Sequence, residues 1–175
     1  MRKLSENEII IARKLIQEMA VLTADRGYDF IPAWVQKHEW VVVPVENTGH
    51  LAEEEIERIV PALALVGQHS CLAISGLELL DPLPGSYEIR VAADDLQHFN
   101  AECGAFRFLL TASDLSWAIS CNEWFNLFAG PKDLIERMVG SSIEQATHDF
   151  LDYATLVEQA PEGRLVEIAR QYTGT

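Results

Sequence analysis

Asp94, His98 and Glu102 are spaced four residues apart. On a helix that spacing lines up two carboxylates and an imidazole along one face, with Asp95 beside them. These ligand types could hold a divalent cation. The same residues also suit the wet face of an amphipathic helix whose acids favour its N-terminus. That second reading is preferred, so no metal and no cofactor are expected. His148 and Asp152 stand at i, i+4 in the cation-before-anion order that stabilises a helix less, and they read as a surface pair. His69 and Cys71 would share one face of a strand. A thiol nucleophile, however, also needs an oxyanion site and a group orienting its base, and nothing marks either. No glycine-rich phosphate loop, zinc-ligand spacing or nucleophile elbow occurs. The residues define no catalytic centre, and a metal-dependent or small-molecule-processing enzyme using Asp94, His98 and Glu102 stands as the alternative reading.

Charge is more informative than any motif. The chain of 175 residues has net charge −14. From His38 to Phe106, twelve Asp and Glu stand against only Arg58 and Arg90, so this stretch carries −10 of the total. Such a surface repels nucleic acid and anionic membranes and attracts basic partners. Nucleic-acid binding also needs clustered Lys or Arg, and no such cluster interleaves the aromatics. The acids expected to meet a partner are Glu53, Glu54, Glu55, Glu57, Asp94, Asp95 and Glu102, on two helix faces. Trp124 joins them as an aromatic of the kind that anchors interfaces.

The elements that must position these residues follow from periodicity. Ser5 and Glu8 form a capping box for a first helix with apolar residues at Ile11, Ala12, Leu15, Ile16, Met19 and Leu22, closed by Arg26-Gly27. Residues 28–37 read as a connector. Trp40–Val45 reads as a buried strand, although Pro44 is unsuited to a central one. Glu53-Glu54-Glu55 opens a second helix, expected to break at Pro61. Cys71–Ile74 and Tyr87–Val91 form an antiparallel pair across a turn at 81–86. Asp94 or Asp95 caps a helix ending at Gly104. The runs 106–111, 117–121 and 124–129 form a β-meander. Gly130-Pro131 then starts a helix with Pro131 at its first position, and Gly140 ends it. Ser141–Glu144 is a second capping box, opening a helix with apolar positions Ile143, Ala146, Thr147, Phe150, Leu151, Ala154 and Val157. Pro161 and Gly163 interrupt, and a short last helix carries Leu165, Ile168, Ala169 and Tyr172. The expected architecture is a single α+β domain over residues 1–175, with a mostly antiparallel sheet, a C-terminal β-meander, and helices at both ends packed on one face.

Residues 106–140, with Thr111-Ala112-Ser113-Asp114, Trp117-Ala118-Ile119, Phe128-Ala129-Gly130 and Pro131-Lys132-Asp133, resemble the back half of small bacterial cytoplasmic proteins of uncharacterised and immunity type. The resemblance implies an accessory bacterial protein that works by binding. Toxins that act on nucleic acid are often basic because their substrate is a polyanion. The expected function is therefore an acidic binding protein, an immunity or inhibitor protein that occludes a basic, nuclease-like toxin domain. An oligomer-forming module using exposed meander aromatics is a further alternative. The three cysteines, Cys71, Cys103 and Cys121, lie in apolar contexts without a disulfide framework, and acids follow the first residues where a signal peptide needs an apolar run. No apolar run approaches the ~18–20 residues of a membrane span, and a cytoplasmic location is expected.

Overall fold

The computed structural model describes residues 1–23, 27–47, 50–76, 85–103, 107–157 and 164–173. The chain opens with a short strand β1 (Arg2–Lys3) and helix α1 (Glu6–Ile16). Ser5 and Glu8 form the expected capping box: the Glu8 carboxylate accepts from the Ser5 N–H at 2.8 Å. α1 is shorter than its apolar stripe suggested. Met19 and Leu22 fall beyond it, and Ala20–Leu22 is a strand, β2, paired antiparallel with β3 (Tyr28–Phe30). Gly27 is not a helix stop. It packs where a Cβ would overlap the Asn122 carboxamide. The remaining connector contains α2 (Pro32–Lys37), with Pro32 at its start as the fixed φ of proline favours.

Strand β4 (Val41–Glu46) leads to α3 (Glu53–Leu65), β5 (Ser70–Ser75), β6 (Tyr87–Arg90), α4 (Ala93–Cys103) and the meander β7 (Phe108–Thr111), β8 (Ala118–Cys121), β9 (Phe125–Gly130). Three helices finish the chain: α5 (Lys132–Val139), α6 (Ile143–Val157) and α7 (Arg164–Thr173). α3 runs through Pro61 without a break. Pro61 is exposed, so the carbonyl it leaves unbonded one turn earlier can be met by water. The helix stops at Gly67, φ +74°, where Gln68 N–H donates to Leu63 O and Gly67 N–H to Ala64 O, the paired bonds of a Schellman ending. Asp94 and Asp95 sit inside the first turn of α4, and Pro131 is the N-cap of α5 rather than its first residue. The cap of α6 is Ser142, whose Oγ accepts from Gln145 N–H at 3.2 Å. Arg26, Thr48, Gly49, residues 81–84, Gly104, Phe106, Pro161 and Gly163 lie outside the described residues.

Among the described residues, seven strands form one sheet in the order β1-β6-β5-β7-β8-β9-β4. Every neighbouring pair is antiparallel. The α+β architecture, the β5–β6 pair and the β7–β8–β9 meander match the expectation. Pro44 lies on β4, an edge strand, where a missing N–H costs least. The placement of the helices differs from expectation, because they cover both faces. Ile56, Ile59, Leu96, Phe99, Ile135 and Met138 from α3, α4 and α5 pack on one face with Leu110, Ile119 and Phe128. Ile16, Phe150, Ile168 and Ala169 from α1, α6 and α7 pack on the other with Leu109, Leu127 and Ala129. β7, β8 and β9 are buried at every position. A strand apolar on both sides must be covered on both. No described helix is long and apolar enough to cross a membrane.

Candidate functional site

α3 and α4 lie on the same face of the sheet and run in opposite directions. α3 starts at the end where β4 finishes and β9 begins, while α4 starts at the opposite end, after β6. The Asn100 carboxamide ties them, donating to Leu51 O at 2.6 Å. Glu53, Glu54 and Glu57 are exposed on α3, and Asp94, His98 and Glu102 on α4. Glu102 therefore shares an end of the molecule with Glu53 and Glu54. Asp94 lies near the other end, about 12 Å away along the α4 axis at 1.5 Å per residue. Asp94, His98 and Glu102 point to solvent, and among the described residues no group of three or more His, Cys, Asp or Glu is placed to hold a metal ion.

Two of the acids expected at the surface are not there. Glu55 is only 5% exposed. Its Oε2 accepts from the Ala52 N–H at 2.7 Å, the half of a capping box that a glutamate at the third helical position supplies. Burial pushes its carboxyl above the ordinary range, offset in part by the Ala52 N–H, Arg58 and Asn126. Next to it Asn47 Nδ2 donates to Asn126 Oδ1 at 2.6 Å, and both amides are buried. Asp95 is 8% exposed. It receives the Met1 amino nitrogen at 3.3 Å and Arg90 at 2.9 Å. Burial alone would raise its carboxyl, but these two cations outweigh it and hold it below the ordinary value. Glu55 and Asp95 serve the fold and cannot meet a partner.

The other sequence candidates are dispersed. His148 and Asp152 form an exposed pair at 3.7 Å. His69 precedes β5 and is exposed, whereas Cys71 is buried, its thiol pushed up to about 12 by desolvation, so the two make no nucleophile and base. Trp124 is 56% exposed at the β8–β9 turn, its carbonyl accepting from Asn47 N–H at 3.2 Å and from the Tyr153 hydroxyl at 3.3 Å. Phe125 is buried. Trp124 stands beside a cleft of about 430 Å³ that also meets Arg107, Val157, Arg164 and Leu165. Sequence reasoning missed this cleft because its walls come from four separate segments; the exposed tryptophan was the one signal.

The geometry defines an antiparallel α+β protein with an acidic two-helix face and a separate aromatic cleft. No family model matches the chain, and no curated protein or solved structure matches it either. The resemblance of residues 106–140 to immunity-type proteins rests on residue pattern alone.

Proposed function

We propose that the protein binds a basic protein partner through the outward face of α3 and α4, centred on Glu53, Glu54, Glu57 and Glu102. One observation carries this reading. These two adjacent helices expose five acids, counting Asp94, while their one Arg or Lys, Arg58, is half-buried and donates to Met138 O at 3.3 Å. An uncompensated acidic face raises the encounter rate with a cationic surface and penalises anionic ones. A nuclease-like toxin domain is a partner of that chemistry, and the protein would act on it by occlusion. Three free, buried cysteines support work in a reducing compartment such as the cytoplasm.

The test is kinetic. A Glu53→Lys, Glu54→Lys, Glu57→Lys variant, with its fold verified by circular dichroism, should associate with a captured basic partner about tenfold more slowly than wild type, and the wild-type rate should fall steeply with salt. A partner whose association rate responds to neither the reversals nor salt removes the proposal.

A further inference from the structure

Helix α1 is apolar on both sides. Ala12 and Ile16 are buried towards the sheet, with Ile9 packed beside them. Ile10, Ile11 and Leu15 turn the other way and are 65%, 61% and 40% exposed. A helix apolar all round is ordinarily covered all round. Val21 and Leu22 on β2 are also about half exposed. A cleft of about 280 Å³ joins the helix to this strand, lined by Arg13, Ile16, Gln17, Val21 and Leu22 among others. Exposed aliphatic side chains and a partly apolar recess therefore stand side by side. Lys14 and Glu18 lie on the same outward side of α1, exposed and without a side-chain hydrogen bond or ion pair among the described residues. Charge is locally balanced as well: residues 1–37 carry six Arg and Lys against five Asp and Glu, whereas the rest of the chain carries −15.

We propose that the outward side of α1 and β2 is the interface of a two-fold homodimer. Complementarity selects a second copy as the occupant. A two-fold axis beside the last turn of α1 sets Lys14 of each copy against Glu18 of the other, and Ile11 of each towards Val21 and the recess of the other. One operation thus pairs the open charges and fills both recesses, as an interface built from the same patch on both subunits requires. The overall charge points the same way. Two chains of −14 repel each other, and the near-neutral N-terminal region is where close approach costs least. A standard interface covers about 800 Å² per partner, with an apolar centre poor in charge and a polar rim. Ile10, Ile11, Leu15, Val21 and Leu22 supply that centre, and Asn7 and Gln17, both exposed, belong to the rim. α1 packs on the opposite face of the sheet from α3 and α4, so the dimer leaves both acidic faces open and does not depend on the reading of those helices.

The test is sedimentation of the full chain from about 1 to 200 μM, where wild type should shift reversibly to twice the monomer mass with a micromolar dissociation constant, on the scale of a modest apolar contact. Ile11→Glu and Leu15→Glu should each weaken the dimer at least tenfold. Both residues are exposed, and circular dichroism confirms that each variant is folded. Lys14→Glu and Glu18→Lys should each weaken it several-fold, and the two together should recover the wild-type constant, which a contact of another register would not do. The dimer should persist in about 0.5 M salt, since its centre is apolar. A monomer at every concentration, a dimer indifferent to Ile11→Glu and Leu15→Glu, or a double charge swap that fails to recover overturns the proposal. The triple lysine variant of α3 should dimerise at least as well as wild type, and loss of its dimer would place the contact on α3 and overturn the proposal too. A folded monomer would leave the α3–α4 reading standing, because that reading is judged by the association rate of a basic partner.

Discussion

Glu55 is held in the interior by a backbone hydrogen bond from Ala52, and its carboxyl is raised mainly by burial. A group raised in the folded state binds protons more readily there than in the unfolded chain. Its contribution is therefore most favourable below the ordinary carboxylate range and is lost as pH rises through the folded value. Glutamine at this position keeps an acceptor oxygen for the Ala52 N–H and has no proton to lose. Glu55→Gln is expected to exceed wild type in urea midpoint at neutral pH and to converge with it near about pH 4. A difference that stays constant across that range would show that Glu55 titrates alike in both states. Gly140 is the second residue with a strict requirement. Its φ is +79°, and a Cβ would fall 2.6 Å from Arg58 Cδ. Gly140→Ala should cost about 1–2 kcal/mol from the left-handed backbone alone, read as a lowered urea midpoint, with an unchanged midpoint as the contrary result.

At the scale of elements, α6 shows how a periodic stripe becomes core. Ala146, Phe150 and Ala154 recur at i, i+4, i+8 and are all buried. Phe150 meets Phe125 edge to face, ring centroids 6.1 Å apart, so the helix is packed across β4 and β9 rather than merely laid on the surface. Phe150→Ala should destabilise by ~3–5 kcal/mol, the usual cost for a fully buried aromatic. A loss under about 1 kcal/mol would place the residue among surface positions. The same helix flanks the edge strand β4, which together with Pro44 limits pairing with another chain. The meander was readable in sequence because short polar turns separate its apolar runs. The β2–β3 hairpin was not, since Met19, Ala20 and Leu22 continue the helical spacing of α1, and only pairing with Tyr28–Phe30 turns the chain away from it.

At the scale of the whole molecule, the two-sided cover of the sheet buries every position of β7, β8 and β9. Cys71, Cys103 and Cys121 are all free and buried, and desolvation raises Cys71 and Cys121 furthest. A thiol reagent should label none of them rapidly in the folded protein and all three after unfolding without reductant. One reactive thiol in the unfolded chain would reveal a disulfide. Fast labelling of Cys71 under native conditions would show that β5 opens locally. The acidic charge is likewise a property of the whole surface, but its useful part is the fraction that the packing of α3 and α4 leaves outside.

By itself the sequence determined the local features. The Ser5 capping box, the β7–β9 meander, the Gly140 helix stop and the α6 stripe each depend on residues within a few positions of one another, so periodicity and backbone chemistry suffice. The excess of acid was equally plain from composition. Tertiary structure alone decided which acids remain at the surface, since Glu55 is drawn inward to cap α3 and Asp95 is neutralised by Met1 and Arg90. It also placed helices on both faces of the sheet and brought Arg107, Trp124, Val157 and Arg164 to one cleft. Those outcomes depend on contacts between distant segments, whose free energy no local window of the chain contains.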